Sequence, residues 1–213
     1  MAAPLESPTR PILVGRSSSH FTRIARIFAA ELRVPYDFQV VKDLMSASPE
    51  DYGGNPALRI PVLRTSEGSW FGALNICREL WRRSDRASRV VWPEAHDLPV
   101  LANLQEITSQ AMATEVSLVM GRVGGGGEES AHHAKLRKSL TGMLSWLEEH
   151  APAALEALPA RDLSFVEVSL FCLVVHLEFR EVLPMGGYTN LQAFCERFGK
   201  RASAVETTFK FDV

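Results

Sequence analysis

The apolar positions of the chain follow a strand-like pattern first and a helical one later. Ile12, Leu13 and Val14 form a short apolar run that reads as a buried strand, and Gly15 to Ser19 is a turn of small polar residues. Phe21, Ile24, Ala25, Ile27 and Phe28 recur at helical spacing, which predicts a helix to about Leu32. Pro35 breaks that pattern. Tyr36, Phe38, Val40 and Val41 predict a second strand, and two neighbouring parallel strands need such a helical crossover. Turn signals between Ser46 and Gly54 leave room for one helical turn. Ile60-Pro61-Val62-Leu63 predicts a strand that begins at a proline, where the X-Pro bond can be cis. Glu67-Gly68 turns the chain back through Ser69-Trp70-Phe71, an antiparallel hairpin. Ala73 to Trp81 predicts a helix with Leu74, Cys77, Leu80 and Trp81 on one face. The first part of the chain therefore reads β-α-β-β-β-α, with a mixed sheet.

The stretch Arg82 to Asp97 is charged and ends in proline-flanked loops, which suits a linker. Beyond it strand signals almost vanish. Helical patterns cover Val100 to Met120, Ala134 to Glu149, Leu163 to Leu183 and Asn190 to Lys200. The third is apolar all round, which predicts a buried central helix. It opens with Ser164-Phe165-Val166-Glu167, a capping box: the Ser164 hydroxyl accepts the Glu167 amide, and Glu167 reaches back to the Ser164 amide. The predicted organisation is an α/β domain over 10–84, a linker over 85–97 and an all-helical bundle over 98–213.

Composition narrows the class. A formal net charge of -2 gives no reason to expect nucleic acid or an anionic membrane surface as partner. The apolar runs are too short to span a bilayer, and Met1 to Arg10 lacks the pattern of a secretory signal, so a cytoplasmic protein is expected. Three widely spaced cysteines, Cys77, Cys172 and Cys195, make no disulfide framework and no C-x-x-C pair. Gly124 to Gly127 lacks the G-K-[ST] of a phosphate loop and reads as a flexible connector. His132-His133 are adjacent, so they cannot share a helical face for zinc, and no metal is expected. His176 reads as a satisfied core histidine, and Arg82-Arg83 and Glu128-Glu129 as solvated charge.

Four stretches, in order along nearly the whole chain, resemble the glutathione transferase superfamily. Ser19-His20-Phe21-Thr22-Arg23-Ile24-Ala25-Arg26 resembles its S-P-F-x-R-K-V-R, and Asn55 to Leu63 resembles N-P-x-G-K-V-P-V-L. Leu163 to Leu170 resembles the capping box of its buried helix. Asn190-Leu191-Gln192-Ala193-Phe194, then Arg201-Ala202-Ser203 and Thr207, resemble P-N-L-x-x-W and R-P-S-x-x-x-T. The resemblance implies a thioredoxin-like N-terminal domain, a helical C-terminal domain, a homodimer, and glutathione as co-substrate for attack on a small hydrophobic electrophile. A glutathione-dependent peroxidase, isomerase or lyase and a non-catalytic binding or scaffolding protein on the same fold are alternatives.

Such chemistry needs a thiolate. A free thiol has a pKa of about 8.5, and a hydrogen bond to the charged form contributes about 1.5–3 kcal/mol, one to two pH units. The positive end of a helix helps in the same direction. By the resemblance, Ser19 takes the catalytic position; its other reading is a plain helix N-cap. Ser17 is the alternative, from the Arg16-Ser17-Ser18 turn, with Ser18 read as polar loop. His20 stands where the family has proline and is expected to be solvated, or else to carry a proton beside the thiol. Phe21 and Arg59 join the expected glutathione site, Arg59 through a carboxylate. Pro61 would be the cis-proline whose neighbour Ile60 offers its backbone to the cysteinyl unit. Where the family has an acidic residue and a serine for the γ-glutamyl group, this chain has Gly72-Ala73, leaving backbone amides near Ala73 and the side chain of Asn75. Met112, Thr114 and Glu115 are expected to line a hydrophobic cleft of the helical domain against the first.

Overall fold

The computed structural model describes residues 10–123 and 130–212. The expectations for the first nine residues, for Gly124 to Gly127 and for Glu128-Glu129 lie outside them. The chain divides into two compact units: residues up to 87 together with 203–213, and residues 88–202.

The first unit runs β1 (Ile12–Gly15), α1 (His20–Leu32), β2 (Asp37–Val40), a 3-10 turn at Pro49–Tyr52, β3 (Val62–Thr65), β4 (Gly68–Phe71) and α2 (Ala73–Arg83). The sheet order is β2-β1-β3-β4. β1 and β2 are parallel, whereas β3 is antiparallel to both β1 and β4, giving the expected mixed sheet. In register, Val14 stands beside Val62 and Val62 beside Phe71. The C-terminal end of β1, the start of β3 and the end of β4 therefore share one end of the sheet. Behind that end, Val14, Val41, Tyr52 and Val62 form a buried cluster with Leu44, Leu58 and Ile60 packed against it. Helix α2 buries Ala73, Ile76, Cys77 and Leu80. Trp81 is 45% exposed, against expectation. The i, i+3, i+4, i+7 face that starts at Ala73 ends at Leu80, and Trp81 is rotated about 100° away from it. Arg82 and Arg83 are not simply solvated: both pair with Glu79, whose side chain is 1% exposed, and both reach Glu67.

The second unit is helical: α3 (Pro99–Val123), α4 (Ala131–Glu156), α5 (Phe165–Phe179) and α6 (Thr189–Phe198). It also contains a two-residue parallel pair, β5 (Val90–Val91) with β6 (Leu163–Ser164), which two-residue strands make hard to read from sequence. Residues 88–97 of the charged stretch belong to this unit. Helix α5 starts at Phe165 instead of Leu163 and ends at Phe179, with Glu181 in the left-handed region (φ 51°) stopping it short of Leu183. Ser164 caps α5 by accepting the Glu167 amide at 3.2 Å. The other half of the expected box is replaced: Glu167 accepts from the Ser164 hydroxyl and from Nε and Nη2 of Arg161, each at 2.7 Å. Arg161 also donates to the carbonyls of Leu155, Leu158 and Pro159, so one guanidinium ties the end of α4 to the start of α5. A short helix, α7 (Ala202–Glu206), leads into the C-terminal tail. Among the described residues no helix is long and apolar enough to cross a membrane.

Candidate functional site

The turn that joins β1 to α1 is built by close approach. A Cβ on Gly15 would lie 2.6 Å from the Thr22 side chain, so glycine is what lets the strand pass against the first turn of α1. The Arg16 amide donates to Thr22 Oγ1 at 3.4 Å, and the Ser19 amide donates to the Arg16 carbonyl at 3.1 Å, closing a four-residue turn. Ser19 is the N-cap of α1 in an extended conformation, and its Oγ accepts the Thr22 amide at 3.3 Å. A hydroxyl has two acceptor lone pairs and one proton. The cap uses a lone pair, so the proton stays available to a sulfur outside the helix. The capping and thiol-binding roles of Ser19 are therefore compatible.

Of the three neighbouring serines, Ser17 and Ser18 are buried (2% and 3% exposed), while Ser19 is half-buried. The Ser17 amide donates to Asp212 Oδ2 at 2.7 Å, a contact spanning almost the whole sequence that no local pattern announces. His20 is 1% exposed, so the expectation of a solvated ring is overturned. It lies edge-on to Phe21, with centroids 4.5 Å apart, as the first turn of a helix with an apolar face draws it inward.

At the same end of the sheet, the Ile60–Pro61 peptide is cis and Pro61 is buried. The loop before it is held by Asn55, 4% exposed, whose Nδ2 donates to the Arg59 carbonyl at 2.8 Å and whose Oδ1 accepts the Ala57 amide at 3.0 Å. The Arg59 side chain itself is exposed. Sequence reading quoted Asn55 only as part of a motif; its structural role is to fix the backbone that leads into β3. Beyond β4, Gly72 (φ 81°) is the N-cap of α2 and supplies no side-chain cap. A Cβ there would meet nothing within 4 Å, and Ala73 is buried. Asn75 donates its side-chain amide to the Phe71 carbonyl at 3.1 Å. The sheet register thus gathers Ser19, Ile60-Pro61 and the α2 N-terminus at one edge.

Residues 18–83 match the family model of the glutathione S-transferase N-terminal domain. Solved structures align with almost the whole chain. A glutathione S-transferase from Methylobacillus flagellatus KT with glutathione bound is 24% identical, covering 94% of this chain and 100% of its own, with a TM-score of 0.71. A glutathione transferase family member from Pseudomonas fluorescens Pf-5 with bound glutathione is 17% identical over 94% and 99%, with a TM-score of 0.78. A third, from Methylobacterium radiotolerans JCM 2831 in complex with glutathione sulfonate, is 19% identical over 96% and 98%, with a TM-score of 0.73. Residues 18–83 are thus similar to that N-terminal domain, and the chain as a whole has the fold of these glutathione transferases. No curated protein sequence matches it.

The expected acceptor residues all lie on α3 of the second unit. Met112 and Glu115 are buried (1% and 0% exposed) and Thr114 is half-buried. Glu115 Oε1 lies 2.6 Å from His176 Nδ1 on α5, which gives the core histidine a carboxylate partner. Helix α5 is further tied to α3 by Arg122, which donates to the carbonyls of Arg180, Glu181 and Val182 at 3.3–3.5 Å, a cation at the helix C-terminus. Elsewhere in the first unit, burial works to raise the Glu79 pKa, but the hydrogen bonds and charges of Arg82 and Arg83 together hold it below the usual carboxylate value. Burial raises the Tyr52 phenol, with the charges of Asp43 and Asp51 acting in the same direction.

Proposed function

We propose that the chain is a glutathione transferase-like enzyme that binds glutathione at the strand-end edge of the first unit and holds its sulfur against Ser19, for attack on a small hydrophobic electrophile. The observation that carries this reading is the Ser19 hydroxyl: half-buried, fixed by its bond to the Thr22 amide, and with its proton unspent at the positive end of α1. The glutathione bound in structurally similar chains supports it. Ile60 offers its backbone ahead of Pro61, Arg59 its cation to a carboxylate, Phe21 an apolar wall, and Ala73 its amide with Asn75 beside it. Ser17 is the weaker candidate, since its side chain is buried. On the acceptor side Thr114 keeps exposure, with Met112 and Glu115 as its buried neighbours on α3. The cytoplasmic homodimer and the division into 10–84, 85–97 and 98–213 are part of the same proposal.

The second reading, a binding protein without catalysis, is favoured by Gly72-Ala73, which leave the α2 N-terminus with no side-chain carboxylate or hydroxyl. Two lost polar contacts of about 1.5 kcal/mol each weaken binding roughly a hundredfold. Calorimetric titration with glutathione and the ultraviolet absorbance of the bound thiolate separate the two. The enzyme reading expects binding with a depressed thiol pKa. Ser19→Ala should raise that pKa by about one to two units, with conjugation falling accordingly, and Ser19→Thr should recover part of both. Binding without any thiol ionisation supports the second reading, and absence of binding ends the first.

A further inference from the structure

The C-terminal tail lies along α1 within the first unit. Arg23, 5% exposed, donates to the Ala204 carbonyl at 3.0 Å and to Thr207 Oγ1 at 3.5 Å, and its guanidinium sits 4.3 Å from the Phe209 ring centroid. The Ser203 hydroxyl donates to Glu31 at 2.6 Å. These anchors carry the tail to the start of α1, where the Asp212 carboxylate accepts the Ser17 amide. Ser17 is inside the turn that Ser19 closes on Arg16, and the ends of such a turn lie within about 7 Å of each other. A fixed carboxylate is thus held within one turn of the Ser19 hydroxyl, on the same pole of α1.

We propose that Asp212 is an electrostatic brake on thiol ionisation at Ser19. The inference rests on the reading of Ser19 given above. A helix N-terminus carries about half a positive charge, and its effect is confined to the first turn. Asp212 occupies an amide of the turn that leads into that pole, and its charge repels a second anion beside Ser19. At a separation of roughly 8–10 Å in a partly solvated region, that repulsion raises the pKa of a neighbouring thiol by on the order of half to one pH unit. The other charged or titratable side chains on these elements are Arg16 in the turn, His20, Arg23, Arg26 and Glu31 on α1, and Glu206 and Lys210 in the tail. Arg23 is already engaged with Ala204, Thr207 and Phe209. Lifting the tail from α1 removes the carboxylate, so tail docking and thiol ionisation oppose each other.

The test puts a thiol at the site without any ligand. Ser19→Cys is made together with Cys195→Ser, since Cys77 and Cys172 are buried. The pH dependence of alkylation by iodoacetamide then gives the pKa of the thiol at position 19. Adding Asp212→Asn keeps an oxygen for the Ser17 amide and removes only the charge. The pKa should fall by about half to one unit, and the difference should shrink at high salt. An unchanged pKa overturns the proposal, and so does a rise, which would make the carboxylate a proton acceptor for the thiol. In the wild-type background, calorimetry with glutathione is run alongside. A brake seen at position 19 in a protein that does not bind glutathione would sink the transferase reading and leave the brake standing.

Discussion

Glu148 should be among the most costly surface-accessible side chains to remove, because its carboxylate caps a helix other than its own. Helix α4 contains Pro152, which has no amide hydrogen, so the Glu148 carbonyl four residues earlier loses its helical donor. Asn190 Nδ2 donates to that carbonyl at 3.1 Å. In return the Glu148 carboxylate accepts the Asn190 amide at 2.8 Å, the Leu191 amide at 3.0 Å and the Thr189 hydroxyl at 3.3 Å. Helix α6 begins there, and its own N-cap, Tyr188, supplies no side-chain bond. Glu148 is therefore the cap of α6, donated by another helix. A cap residue contributes about 1 kcal/mol, and a hydrogen bond to a charged acceptor about 1.5–3 kcal/mol. With two amides on one half-buried carboxylate, Glu148→Ala should cost about 2–3 kcal/mol. Glu148→Gln, which keeps one good acceptor but loses the charge at the helix N-terminus, should cost about 1–1.5 kcal/mol. Urea unfolding gives the totals, and amide exchange at Asn190 and Leu191 gives the location. A cycle with Pro152→Ala and Asn190→Ala isolates the repair of the carbonyl: once residue 152 has an amide, losing the Asn190 side chain should cost less. A Glu148→Gln protein within about 0.3 kcal/mol of wild type, with unaltered exchange at those two amides, would refute the assignment.

Two further outcomes follow from buried polar groups in the first unit. Tyr52→Phe removes a hydroxyl that donates to the carbonyls of Leu44 (2.7 Å) and Ser46 (3.1 Å), and should destabilise the 42–58 loop by about 1–2 kcal/mol, read as faster amide exchange there with little change elsewhere. Glu79, with its pKa depressed, supplies stability that is fully present above about pH 5 and lost as pH falls through its folded value; Glu79→Gln should lower stability at neutral pH and flatten the acid limb of the stability–pH curve, and an unchanged acid limb would discount the Arg82–Glu79–Arg83 cluster.

How much of this was legible in the sequence depended on whether the signal was local. The order of elements in the first unit follows from short apolar runs and helical spacing, and the Ser164 cap from a serine and a glutamate three positions apart. The two-residue strands β5 and β6 escape because two residues carry no period, and they pair across more than seventy positions. Trp81 leaves the buried face because one residue past Leu80 is a rotation of about 100°. His20 illustrates the opposite error: its polarity suggested solvent, whereas its place on the first turn of α1 puts it inside. The replacement of half the capping box by Arg161 was invisible because an arginine six residues upstream has no fixed geometry until the loop folds.

The same distinction governs the candidate site. Ser19, Pro61 and the α2 N-terminus are each recognisable from local sequence, but only the register Val14–Val62–Phe71 puts them at one edge. The tail is the extreme case. Nothing near Asp212 in sequence marks it as a neighbour of Ser17; the tail is carried there by the contacts of Arg23 with Thr207 and Phe209 along α1. A thiol-activating site assembled from a hydroxyl and a helix pole has few side chains with which to set a pKa. In the proposed site, one carboxylate on the Ser17 amide is therefore expected to weigh more than any substitution of the exposed Arg59.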